Sequence, residues 1–138
     1  AVNCFACSGD MIVSAADDND LRVWDMTRPA ESACVHVLSG HTGKVLCCCI
    51  VRGLVLSGSE DRTVMAWDLA TGKVKGHLRQ HTQAVLCMVS DGSQYVYTGG
   101  ADYELCKWNV SALKCEGVMR NHRAPILCIC LGVEPGIV

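Results

Sequence analysis

The sequence has little aromatic content: one phenylalanine in 138 residues, and 5% aromatics in all. Half of the chain is nonetheless apolar, so small aliphatic and sulfur side chains must fill any core. An excess of charge is also missing, since 12 Lys and Arg against 14 Asp and Glu give a formal net charge of -2. With no basic run interleaved with aromatics, that balance offers no electrostatic footing for nucleic acid or an anionic membrane. No apolar run approaches the ~20 residues of a membrane-spanning helix, and no charged-then-apolar leader opens the chain. The opening "AVNCFAC" has no initiator methionine, which points to a processed chain or a piece of a longer one.

What is abundant is cysteine, with 11 residues, three of them consecutive in "GHTGKVLCCCIV" at 40–51. The number is odd, no secretory signal accompanies it, and the cysteines sit within apolar runs. Buried thiols in a reducing compartment fit this better than a disulfide scaffold.

Internal periodicity decides how to read the rest. Tryptophans fall at Trp24, Trp67 and Trp108, and loop histidines at His41, His81 and His122, with a spacing near forty. Ten residues before each tryptophan stands a hydroxyl (Ser14, Ser57, Thr98), and six before it an aspartate (Asp18, Asp61, Asp102). "SAADDNDLRVWDM", "SGSEDRTVMAWDL" and "TGGADYELCKWNV" are therefore one template written three times. The first copy lacks its loop histidine but keeps Val2 and Cys4 in the columns of Val45 and Cys47. Each period carries short strand-like runs parted by turn signals such as Arg52-Gly53 and Asp91-Gly92. Pro29 lies outside these runs, and no stretch reads as an amphipathic helix of ~10 or more residues. The class is all-β.

These residues resemble the WD40-repeat family, whose signature pairs a Gly-His with a Trp-Asp. The matches are "GH" at 40–41, "QH" at 80–81, "NH" at 121–122, "WD" at 24–25 and 67–68, and "WN" at 108–109. The resemblance implies a β-propeller arc of about three four-stranded antiparallel blades plus the first strand of a fourth. The blades would span 1–40, 41–80 and 81–121, with a truncated start at 122–138. Propellers close with about four to eight blades, so the chain reads as a fragment of a larger propeller. Self-association of open arcs is the alternative if the chain is complete as given.

The repeat assigns roles to residues that look chemical. Cys4, Cys47, Cys87 and Cys128 share one column; Cys34 and Cys115 share another, where the middle repeat has Val74. Both columns read as small core hydrophobes, with Cys48 pointing the opposite way toward a neighbouring sheet. Cys4 and Cys7 form a C-x-x-C without the second pair that a zinc site requires. His41, Ser57 and Asp61 have the residue types of a hydrolase triad, but His81, Thr98 and Asp102 repeat them one period later. The resemblance implies instead a structural hydrogen-bond network in each blade. Its members would be His41, Ser57, Asp61 and Trp67; His81, Thr98, Asp102 and Trp108; and, less completely, Ser14, Asp18 and Trp24, with His122 starting another set. No catalytic, cofactor or metal site is expected.

The resemblance further implies that loops converge on one face to bind other proteins or peptides. The expected contributors are Lys44, Glu60, Arg62, Gln83, Tyr103, Glu104, Arg120 and Arg123, led by Arg62, Tyr103 and Arg123 because Tyr and Arg are favoured contact types. The expected function is an intracellular, cytoplasmic or nuclear, non-enzymatic scaffold or adaptor. Substrate recognition for a ubiquitin ligase is the second version, and would need an F-box or RING segment. A thiol- or metal-dependent enzyme built on Cys4, Cys7 and the CCC run is the rival class.

Overall fold

A computed structural model describes residues 1–132; the end of the expected fourth segment, 133–138, lies outside the described residues. Twelve strands form three four-stranded antiparallel sheets, each a meander in chain order. The first sheet holds β1 (Val2–Ser8), β2 (Met11–Ala16), β3 (Leu21–Asp25) and β4 (Cys34–Leu38). The second holds β5 (Val45–Val51), β6 (Leu54–Ser59), β7 (Val64–Asp68) and β8 (Val74–Leu78). The third holds β9 (Val85–Ser90), β10 (Tyr95–Gly100), β11 (Leu105–Asn109) and β12 (Lys114–Met119). A single 3-10 turn at Ala30–Ser32 interrupts the β3–β4 loop, and Pro29 caps it.

Local chemistry explains the hairpins. Arg52 and Gly53 both have positive φ, 51° and 74°, the two-residue turn whose twist suits a tight β-hairpin. The first strand of each sheet carries a register shift, at Val2/Cys4, Val45/Cys47 and opposite Gly99/Gly100. These bulges leave Asn3, Leu46 and Leu86 as the extra residues and bend the strand.

The sheets meet along β1, β5 and β9 and fan outward from there. One apolar cluster lies between the first two sheets, where Val13, Leu21 and Val23 pack with Val55, Met65 and Trp67. Its counterpart between the second and third joins Leu56, Val64 and Ala66 to Val85, Cys106 and Trp108. Most of these are under 2% exposed, and each such aliphatic contributes about 1.5–3 kcal/mol by leaving water. Trp67 and Trp108 thus face the preceding sheet. Trp24, in the same column of the first sheet, has no preceding sheet among the described residues and is only half-buried.

Two expectations from the sequence differ from the structure. The start of a further sheet at 122–138 shows no strand within 120–132. Ile126 donates its N–H to the Gly100 carbonyl and is buried, and among the described residues no second strand pairs with this segment. The cysteines are not uniformly buried either: Cys7, Cys34, Cys128 and Cys130 are exposed. Cys7 and Cys128 lie on the two outer sides of the arc, where no sheet among the described residues covers them. In the Cys34 column Val74 is 44% exposed, because the fourth strands lie where the fan is widest. Lys107, which stands where the other two sheets have Val23 and Ala66, faces the side of the third sheet that no other described sheet covers, with Nζ 4.0 Å from the centre of the Tyr95 ring.

Candidate functional site

The histidine, hydroxyl, aspartate and tryptophan columns meet between strands. In the second sheet His41, from the loop before β5, lies 2.7 Å by Nδ1 from Asp61 Oδ2 and 2.7 Å by Nε2 from Ser57 Oγ. The Trp67 indole donates to that same Ser57 oxygen at 3.0 Å. A carboxylate only accepts, so in the neutral ring Nδ1 carries the proton and Nε2 accepts from the Ser57 hydroxyl. The third sheet repeats the arrangement: His81 Nδ1 to Asp102 Oδ2 at 2.9 Å, His81 Nε2 to Thr98 Oγ1 at 2.7 Å, and Trp108 Nε1 to Thr98 Oγ1 at 2.8 Å. In the first sheet only Trp24 to Ser14, at 2.9 Å, remains. Lacking a histidine partner, Asp18 pairs with Arg22 at 2.8 Å. His122 is exposed, and among the described residues no hydroxyl or carboxylate bonds its ring.

Chemically, this set resembles a triad in composition only. Ser57 and Thr98 are 0% exposed, and each hydroxyl is shared between an imidazole and an indole. Acyl transfer needs an open approach to the nucleophile and an oxyanion hole beside it, and a fully buried hydroxyl offers no approach. Burial raises the Asp61 carboxyl, but hydrogen bonds from Thr63 and His41 outweigh it and hold it below the ordinary carboxylate value. Asp102 is raised by burial and lowered further by the N–H groups of Thr82 and Glu104 and by His81, with the same net direction.

Each aspartate also builds a turn. Asp18, Asp61 and Asp102 accept the backbone N–H two residues on, from Asp20, Thr63 and Glu104 at 3.2, 2.9 and 3.1 Å. The residue between is left-handed every time: Asn19, Arg62 and Tyr103 have φ of 71°, 75° and 69°. Left-handed non-glycine residues are uncommon, and side-chain hydrogen bonds of this kind are what sustain them. The loops before β5 and β9 lie on the same side, so Arg62 and Tyr103 stand at turn tips beside Lys44, Glu60 and Gln83, all exposed. Arg120 and Arg123 are exposed as well. Glu104 departs from expectation: its side chain is 16% exposed and Oε1 accepts from Arg120 Nε at 2.6 Å. It is occupied by an ion pair rather than presented to solvent.

The cysteine run divides as its alternation requires. Cys47 and Cys49 enter the cluster shared with the third sheet, while Cys48 turns to the first. Burial raises the Cys47 thiol well above its ordinary value and pushes Cys49 up to about 12. Among the described residues no group of three His, Cys, Asp or Glu side chains is placed to hold a metal ion. Sequence reasoning did not find a groove of about 800 Å³ on the opposite loop side, lined by Arg28, Cys34, His36, Gly53 and Leu69. Its walls come from two sheets, and His36 reaches the carbonyl of Ala70 at 2.8 Å across it. No single repeat carries that signal.

The profile described as "WD domain, G-beta repeat" matches residues 1–25, 32–68 and 72–109. Among curated proteins, the F-box/WD repeat-containing protein sel-10 of Caenorhabditis elegans is 31% identical over 81 residues, 59% of this chain and 14% of its own length. The Ribosome biogenesis protein WDR12 homolog of Oryza sativa subsp. japonica is 33% identical over 93 residues, 63% of this chain and 21% of its own length. The chain therefore spans between about a seventh and a fifth of the length of these relatives. The solved structure titled "Structure of U3-55K" superposes with a TM-score of 0.83 at 21% identity, over 93% of this chain and 42% of that one. That likeness speaks for the fold alone.

Proposed function

The chain belongs to the WD40-repeat family, and on that premise we propose that it is a non-catalytic protein-interaction module, a scaffold or adaptor for other proteins or peptides. Its binding surface is the loop face bearing Arg62, Tyr103 and Arg123, with Lys44, Glu60, Gln83 and Arg120 around them. The observation that carries this reading is the repeated turn. In the second and third sheets an aspartate whose side chain is buried fixes a left-handed tip, and that tip is an exposed Arg62 or Tyr103. Binding residues on loops held by a rigid scaffold are the usual arrangement for recognition, and Tyr and Arg dominate contact energy. The buried Ser57 and Thr98 hydroxyls count against hydrolysis, and the raised thiols of Cys47 and Cys49 count against either of these two as a nucleophile. The module works inside the cell, in cytoplasm or nucleus, a reading supported by the names of its relatives.

A second reading rests on the cations of that face. Lys44, Arg62 and Arg123 are all exposed and suit an acidic or phosphorylated segment. Together with the F-box named in one relative, they favour substrate recognition for a ubiquitin ligase as the more specific version. A photo-crosslinking amino acid at position 62 or 103, with position 73 on the opposite side as control, tests the surface. Discrete partner bands from 62 and 103 that are missing from 73 support it; equal capture at all three contradicts it.

A further inference from the structure

The first two sheets are joined differently from the second and third, and the difference lies in the cysteine column of the innermost strands. Cys47 Sγ is directed at the carbonyl of Val85 in the next sheet, at 3.7 Å, and Cys87 Sγ at that of Ile126, at 3.4 Å. The corresponding carbonyl for Cys4 is that of Val45, and it is already taken: the bulged Asn3 donates to it from Nδ2 at 3.0 Å. A second change removes the space beside the thiol. Gly58 and Gly99 stand opposite Cys47 and Cys87 in the ladder, and a Cβ on either would fall 2.6 Å or 2.9 Å from the sulfur. Opposite Cys4 the residue is Ala15, which has that methyl. The third change is in what the thiol meets: the next sheet presents Cys48 where the later repeats have Met88 and Ile129. Cys4 Sγ, denied both its carbonyl and its pocket, lies 3.3 Å from Cys48 Sγ.

We propose that Cys4 and Cys48 form an oxidation site, a thiol pair that a peroxide converts to a disulfide tying β1 to β5. The sulfurs need only close from 3.3 Å to about 2.05 Å, and both residues are half-buried, open enough for a small oxidant. Cys4 is the attacking thiol. Its neighbour Cys48 lowers it against the burial that raises it, whereas Cys48 is raised first by that same contact and then by burial. Cys4 thiolate attacks one oxygen of the peroxide, breaking the O–O bond to give a sulfenic acid and hydroxide when hydrogen peroxide is used. The Cys48 sulfur then displaces the sulfenic hydroxyl, its thiol proton leaving with it as water. Two electrons pass from the sulfurs to the peroxide, and a reducing dithiol reverses the bond by exchange. The bond would reinforce the one junction whose first sheet lacks a histidine network.

Titrating the purified full chain with hydrogen peroxide, blocking free thiols and mapping peptides without reduction tests this. Trypsin leaves Cys4 and Cys48 on separate peptides, ending at Arg22 and Arg52. One linked pair per chain is expected, assigned to Cys4 and Cys48 by fragment ions, lost in C4A and C48A, and kept in C7A and C47A. The oxidised protein should also melt at higher temperature than the reduced one, a shift that dithiothreitol removes. Linkage through Cys7 or Cys47, or Cys4 and Cys48 remaining free while Cys34 and Cys7 oxidise, overturns the proposal. Because the fragment assignment is made on the unmutated chain, it stands even if a variant fails to fold.

Discussion

His41 and Ser57 are 16 residues apart in the chain, and His41 Nε2 lies 2.7 Å from Ser57 Oγ with both residues buried. The contact ties the loop before β5 to β6, and Trp67 extends it to β7. Replacing Ser57 by alanine leaves the indole N–H and the imidazole nitrogen unsatisfied where water cannot reach them. The expected cost is about 1–3 kcal/mol, read from denaturant melts. Ser14→Ala should cost less, because Trp24 is half-buried and no histidine depends on that hydroxyl.

The glycine beside that hydroxyl is constrained by packing. A methyl at Gly58 would sit 2.6 Å from both Cys47 Sγ and Val85 Cγ1. Gly58→Ala should destabilise by about 1–3 kcal/mol through overpacking, and adding Cys47→Ala should recover part of the loss. Equal stability of the single and double variants would show that the thiol is not the obstacle.

Acid should weaken the two histidine networks. Asp61 and Asp102 are held below their ordinary carboxylate value in the fold. A lowered folded pKa means stability that is complete above the unfolded value, about 4, and is lost as pH falls through the folded one. Asp61→Asn and Asp102→Asn should therefore be less stable than the parent at pH 7 and show a shallower acid limb. Denaturant melts from pH 7 down to about 2 check this.

Tyr103 separates scaffold from surface. Its φ of 69° suits glycine, so Tyr103→Gly should leave the melt within about 1 kcal/mol of the parent while weakening partner binding. A large loss of stability would mean that the ring supports the fold rather than the surface.

Much of this was legible in the sequence because a period near forty places hydroxyl, aspartate and tryptophan in fixed columns, and a column is visible without coordinates. The alternation that turns Cys48 away from Cys47 and Cys49 follows from the pleat of a strand. Illegible were properties that depend on which sheet, if any, lies alongside. Cys7 and Cys128 have the surroundings of core residues in the sequence but lie on uncovered faces. Glu104 looks like a loop carboxylate until Arg120, from beyond β12, closes on it. The Cys4–Cys48 contact required Asn3, Ala15 and the bulge in β1 to be seen together.

The most direct measurement compares the proteins that co-purify with the parent chain and with an Arg62→Ala, Tyr103→Ala, Arg123→Ala variant, by quantitative mass spectrometry, with Lys73→Ala as the control and a melt on each sample. A binding loop face predicts that the triple variant keeps its melt and loses partners that the parent and the control retain. Undiminished partners on a correctly folded triple variant would contradict the account.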